Sequence, residues 1–192
     1  MLEQINSIYN EFKTIDKIKQ DENKFLSVES YLCKLNNGKT ITREKVLKGG
    51  KDGCAAIILP ITKDNKVVLA IEPRVFTEKT VDIGLPAGYI EDGEDAMVAA
   101  LRELKEETGY VSDDVKYLGK FYQDQGCMGA LNYYFVAFNC EKKYQQDLDA
   151  AEYIKYIEVS YDELDYLIQN GYICGLNSAY TIEKAKQYVK EM

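Results

Sequence analysis

Apolar residues recur along this chain in two rhythms, one helical and one strand-like. Leu2, Ile5, Ile8, Tyr9, Phe12 and Ile15 fall at helical spacing and predict a short amphipathic helix at the start. Tyr31–Leu35 and Lys39–Val46 read as strands around Asn36-Asn37-Gly38, a hairpin turn signal. A second hairpin is expected from Ala55–Ile61 and Val67–Ile71, joined through Lys63-Asp64-Asn65. The loop Gly84-Leu85-Pro86-Ala87-Gly88 then leads to a strongly charged helix that ends at Gly109. Val115–Tyr122, Leu131–Cys140 and Tyr153–Val159 are three further strand-like stretches. Two helices close the pattern. Ser160 and Glu163 form a capping box for the first, which stops at Gly171; Asn177 or Ser178 is the expected cap of the second, which runs to about Lys190.

Strands on both sides of one central helix, with helices at the end, predict a mixed sheet sandwiched between helices, an α/β fold. No internal repeat or linker interrupts the chain. A boundary is expected near Gly49-Gly50, separating a small N-terminal helix and β-hairpin region (1–50) from the main body (51–192).

Composition narrows the chemistry. The 192 residues are 46% hydrophobic, enough for one compact core plus a small appendage, and the longest apolar runs, such as Cys54–Ile61, are too short to cross a bilayer. Glu3 stands early and no basic-then-apolar stretch follows, so no secretory leader is expected. Cys33, Cys54, Cys127, Cys140 and Cys174 are scattered, odd in number and without a CxxC pair, which fits buried free thiols and a cytoplasmic location. The formal charge of −8 disfavours a polynucleotide partner. No histidine is present, so Ser-His-Asp and Cys-His nucleophilic sites and His-ligated zinc are excluded. Acid–base work must fall to carboxylates, tyrosines, lysines or a bound metal ion.

The charged helix carries the informative pattern. Glu103, Glu106 and Glu107 stand at i, i+3 and i+4 and share one face, where like charges repel. A solvated Glu-rich helix with an ordinary Arg102–Glu106 pair is the plain alternative. A hard divalent cation, which takes oxygen ligands, gives the crowding a purpose. Met97, Leu101, Leu104 and Thr108 form a separate stripe expected to pack on the sheet.

From Gly88 to Tyr110 the chain reads G-x5-E-x7-R-E-L-x-E-E-x-G-Y. Its seven Gly, Glu and Arg identities alone make a chance match on the order of one in a million per chain. The pattern resembles the signature of the Nudix hydrolase family, and the resemblance extends from Gly50 through the C-terminal part. It implies a Nudix-type α/β/α sandwich with a mixed sheet and a small N-terminal β region. It also implies metal-assisted hydrolysis of a nucleoside diphosphate linked to another group, with Mg²⁺ as cofactor and Mn²⁺ as the alternative. Glu103 and Glu107 match metal-ligand positions, Glu106 a further ligand, and Ala87 the residue whose carbonyl completes coordination. Glu94 and Arg102 match the pair that orients the helix, and Gly88 and Gly109 its entry and exit turns. Glu106, Glu107 and Glu152 are the candidates for accepting a proton from water.

More closely, the chain resembles ADP-ribose pyrophosphatases. Arg43-Glu44 within Leu35–Gly50 looks like their N-terminal β region, which implies a homodimer, and Arg43 and Arg74 are the implied substrate contacts. No proline follows Pro86, and Gln125–Ala130 is neutral where that branch usually carries a proline and an acidic residue. The expected substrate is a small nucleotide, ADP-ribose or an ADP-sugar. A dinucleotide, a nucleoside triphosphate and a non-catalytic nucleotide-binding module remain the alternatives.

Overall fold

The computed structural model describes residues 1–9 and 25–189. Helix α1 (Leu2–Tyr9) inserts Ile5, fully buried, into the main core, so the helix packs on the body. Phe12, Ile15 and Lys190, which belong to the expected helices, lie outside the described residues.

Strands β1 (Leu26–Lys34) and β2 (Thr40–Lys48) pair antiparallel from Leu26↔Lys48 to Lys34↔Thr40. The ribbon begins at Leu26, ahead of the expected Tyr31. Gly38 turns the chain at φ 82°, which glycine reaches without a Cβ penalty. Among the described residues no second layer covers the ribbon, and Leu26, Val28, Tyr31 and Leu32 are all exposed. Its base is tied to the body, Val46 N–H donating to the Cys127 carbonyl at 2.8 Å.

The main sheet contains β3 (Ala55–Thr62), β4 (Val67–Pro73), β5 (Val81–Gly84), β6 (Ala87–Tyr89), β7 (Tyr110–Val111), β8 (Asp114–Tyr122), β9 (Leu131–Lys142) and β10 (Lys155–Val159). Its backbone order is β10-β4-β3-β9-β7, with β5 on β4, β6 on β3 and β8 on β9. β3 runs parallel to β9 and antiparallel to β4 and β6. Helices cover both faces, which explains why β3 is buried at every position after Ala55 instead of alternating. On one face Ile57, Leu59, Leu69, Ile71 and Val136 meet Leu164 and Leu167 of α3 (Tyr161–Gln169) and Ile182 of α4 (Leu176–Ala185). On the other, Ala56, Ile58, Val68 and Phe135 meet Ala99, Ala100 and Leu104 of α2 (Ala96–Thr108). This is the expected α/β/α sandwich.

Several local expectations are corrected. The loop Gly84–Gly88 contains the end of β5 and the start of β6, and the short β7 was not anticipated, because strands of two to four residues leave no periodicity. The packing stripe of α2 is rotated from the expected one: Met97 is exposed, and Ala99 and Ala100 join Leu104 and Thr108 on the buried side. Small side chains there let the helix approach the sheet closely. α3 has its capping box, whereas α4 is capped by Gly175 without a side-chain bond. Asn177 and Ser178 sit inside the first turn of α4 and are spent on tertiary bonds. Ser178 Oγ accepts from Leu85 N–H at 3.1 Å, and Asn177 Oδ1 accepts from Asn132 Nδ2 and the Tyr134 hydroxyl, both at 2.9 Å. All five cysteines are free, but only Cys140 is buried. No helix among the described residues is long and apolar enough to cross a membrane.

Candidate active site

Helix α2 is fixed at both ends by its own sequence. Asp95 caps the start, accepting from the backbone N–H of Met97 at 2.9 Å and of Val98 at 3.3 Å. Gly109 ends it at φ 76° with its N–H on the Lys105 carbonyl. A Cβ on Gly109 would also fall inside 3.0 Å of the Tyr144 carbonyl, so the position demands glycine on two counts.

Arg102 organises the polar side of this helix. Its Nε and Nη2 donate to the two carboxylate oxygens of Glu94 at 2.9 and 3.1 Å, a bidentate pair. Nη1 donates to Glu103 at 2.7 Å and to Glu106 at 2.9 Å, and Nη2 also reaches the Tyr89 carbonyl at 3.0 Å. One guanidinium therefore ties the helix to the loop before it and separates two of the crowded carboxylates. The Arg102 bond holds Glu94 below the ordinary carboxylate range.

Glu103 and Glu107 face inward, 8% and 4% exposed, whereas Glu106 stands at the margin. Burial pushes the Glu107 carboxyl well above its ordinary value, and the charges of Glu72, Glu103 and Glu152 add to the effect. Its hydrogen-bond donor is the Ala87 amide at 3.2 Å, and among the described residues no basic side chain pairs with it. Burial also raises Glu103, against the pull of Arg102. Gly88 is not a strained turn residue. A Cβ there would fall inside 3.0 Å of all three atoms of the Glu103 carboxylate, so glycine is needed to let that group lie against β6.

These groups line a cleft of about 870 Å³ together with Glu152, Arg74, Ala87 and Gly88. Glu152 enters it from the loop before β10, its carboxylate accepting from Asp149 N–H at 3.0 Å. Arg74 enters from the end of β4, held by Glu72 at 2.5 Å. Arg43 is not brought to the cleft: it stands exposed on β2, donating to the Thr42 carbonyl at 3.2 Å. Glu106 is engaged by Arg102 and also lies outside the cleft's lining.

The sequence pattern around α2 and the cleft it builds have a counterpart among known proteins. Residues 52–173 match the NUDIX domain. The chain belongs to the Nudix hydrolase family. A methanol dehydrogenase activator of Bacillus methanolicus is 38% identical over 135 residues, 69% of this chain and 70% of the relative. An ADP-ribose pyrophosphatase of Bacillus subtilis is 29% identical over 174 residues, 90% of this chain and 91% of its own length. The fold matches the crystal structure of an ADP compounds hydrolase at TM-score 0.75 and 22% identity, covering 94% of this chain and 98% of that one.

The donor set of this Nudix site suits a hard divalent cation. Glu103 and Glu107 are buried carboxylates that repel each other, and Glu107 lacks any compensating positive charge among the described residues. They do not stand as a closed cage. Among the described residues no three acidic or thiol side chains are already arranged to hold a metal, Glu103 leaning on Arg102 and Glu107 on the Ala87 amide.

Glu72, Lys48 and Gln123 are among the residues of the cleft that were missed in the sequence, as are Phe25 and Tyr89. Glu72 left a signal, a lone carboxylate closing the apolar run Val67–Ile71. Burial raises it, with Arg74 opposing. Lys48 and Gln123 left none, because their place depends on how the ribbon meets the body.

Proposed function

We propose that this Nudix hydrolase uses Mg²⁺, with Mn²⁺ as a substitute, to cleave ADP-ribose or a related ADP-sugar into AMP and a sugar phosphate. The observation that carries the reading is the meeting of Glu103, Glu107 and Glu152 with Arg74 in one cleft. Carboxylates alone would repel a diphosphate. With a divalent cation between them and the substrate the sign is inverted, and an arginine beside them meets phosphate oxygens directly.

The cation, when bound, supplies charge neutralisation to the diphosphate and to the water that attacks it. The protein's part is positioning. Glu103, Glu107 and the Ala87 carbonyl are the groups that would hold the cation, and Arg102 fixes the orientation of Glu103. Glu72 keeps Arg74 extended toward a phosphate oxygen. Water attacks one phosphorus, the bond from that phosphorus to the bridging oxygen breaks, and Glu152 accepts the water's proton. Glu152 suits this role better than the other two candidates, because Arg102 engages Glu106 and Glu107 is buried behind the Ala87 amide. The half-exposed rings of Phe25 and Tyr89 border the cleft and offer apolar faces to a base. Arg43 reaches substrate only if a second copy's ribbon is presented to the cleft, which ties its role to a homodimer. The free thiols fit a cytoplasmic enzyme.

Product analysis tests the proposal. ADP-ribose, ADP-sugars, dinucleotides and nucleoside triphosphates are incubated with and without Mg²⁺, and products are separated chromatographically. AMP and ribose phosphate are expected from ADP-ribose only with the metal. Efficient turnover of a triphosphate or dinucleotide with ADP-ribose untouched overturns the substrate. No turnover of any compound favours a nucleotide-binding module.

A further inference from the structure

The cleft has a cationic group that the family pattern does not explain. We infer that Lys48, at the base of the N-terminal ribbon, is a substrate-positioning residue that acts with Arg74 to hold a phosphate group of the diphosphate. The inference rests on the hydrolase reading above and extends it to the ribbon side of the same cleft.

Lys48 is aimed by a chain of hydrogen bonds. Its Nζ donates to Gln123 Oε1 at 2.7 Å. Gln123 Nε2 donates in turn to Asn132 Oδ1 at 2.7 Å and to the Gly53 carbonyl at 3.3 Å. Two acceptors on Nε2 fix the amide so that Oε1 must face the lysine. Asn132 is fully buried and is itself anchored on Asn177 of α4. The ammonium therefore sits at the end of a rigid polar ladder that crosses the sheet.

Among the described residues its charge has no partner. Lys45 and Lys51, three residues to either side, pair with Asp52 and Asp92. Among the described residues no carboxylate pairs with Lys48; its side-chain acceptor is the neutral Gln123. Burial lowers its pKa and the charge of Arg74 lowers it further, so two cations share this cleft at a cost to each other. An ammonium has three donors, and one is used. The remaining two, beside Arg74, suit the oxygens of a phosphate, which relieves the repulsion on binding.

A purely structural reading makes Lys48 a tie between ribbon and body, and the two readings differ in what they affect. Kinetics of ADP-ribose hydrolysis and inhibition by inorganic pyrophosphate are measured for the parent, Lys48→Met and Lys48→Arg, with melting temperatures alongside. Lys48→Met should raise KM and the pyrophosphate inhibition constant about tenfold or more, with kcat within about threefold, and Lys48→Arg should restore most of the affinity. A Lys48→Met variant that melts with the parent and keeps both constants within about twofold overturns the inference. Lysine acetylation of the parent, read by mass spectrometry, decides the matter even if that variant does not fold. Pyrophosphate with Mg²⁺ should protect Lys48 but not Lys45 or Lys51; equal labelling of all three with and without pyrophosphate overturns it. A parent that leaves ADP-ribose intact while Lys48 is protected refutes the proposed substrate and supports the phosphate site.

Discussion

Replacing Gly88 by alanine tests whether the cleft depends on the close approach of β6 to Glu103. The added Cβ would lie inside 3.0 Å of Cδ, Oε1 and Oε2 of Glu103, where ordinary contact begins at 3.4 Å. Glu103 cannot retreat freely, because Arg102 grips the same carboxylate at 2.7 Å and the residue is 8% exposed. The carboxylate must therefore move by about 1 Å, a displacement that costs on the order of 100-fold in rate when it affects a group at the reacting centre. Overpacking of this kind costs about 1–3 kcal/mol in stability. For a chain of this size that is a fall in Tm of roughly 2–10 °C. Turnover of ADP-ribose at saturating Mg²⁺ and thermal denaturation read the two effects. Shortening the clashing side chain in the double variant Gly88→Ala/Glu103→Asp should recover most of the stability without recovering the rate, since the carboxylate is then withdrawn from the cation. If Gly88→Ala retains kcat/KM within about threefold and melts with the parent, the tight approach has no functional weight and the reasoning fails.

Two further outcomes are expected. In metal-free protein, burial raises the folded-state values of Glu103 and Glu107 above the ordinary carboxylate value, so the stability linked to their protonation is fully present below that ordinary value and is lost as pH rises through the raised ones. Chelator-treated protein should melt higher as pH falls from about 7.5 toward about 5, and Glu107→Gln, which also loses most metal-dependent turnover, should flatten the rise; an unchanged slope in that variant refutes the assignment. The exposed apolar positions of the ribbon should be covered in a homodimer, so light scattering should give twice the chain mass and Val28→Asp/Leu32→Asp should halve it, whereas a monomeric parent across the micromolar range refutes the assembly.

The long elements were legible because each is dictated locally. β3 and β4 are apolar runs, α3 announces itself through the Ser160–Glu163 capping box, and α2 is bounded by Asp95 and Gly109. The acidic helix of the cleft was legible for the same reason: Glu94, Arg102, Glu103 and Glu107 lie within one helix and the loop before it, where spacing alone sets geometry. What could not be read depends on distant contacts. The side of α2 that packs on the sheet was misjudged because Ala99 and Ala100 carry little hydrophobic signal, yet their size lets the helix come near. Asn177 and Ser178 have the chemistry of caps but are claimed by Asn132, Tyr134 and Leu85, residues far away in the chain. Gly88 looked like a turn glycine; its use is clearance for a carboxylate that arrives from α2.

This division has a consequence for how such a cleft divides its work. Acidic groups proposed to hold a cation must be fixed relative to one another; Glu103 and Glu107 both sit on α2 and are tied to the neighbouring β6 through Arg102, which reaches the Tyr89 carbonyl, and through the Ala87 amide. The cationic groups proposed to meet the substrate come from elsewhere, Arg74 from the end of β4 and Lys48 from the base of the ribbon. Glu72 and Gln123 hold these two in place, one with charge and one without. A carboxylate in place of Gln123 would neutralise Lys48 and weaken its pull on phosphate, whereas the neutral amide positions the ammonium and leaves its charge for the ligand. Arg74 differs in having a carboxylate partner, Glu72, whose pKa burial raises and Arg74 itself opposes. On the proposed reading, sequence change in the ribbon or in the loop that carries Gln123 alters which phosphate compound is held and leaves the carboxylates of α2 in place.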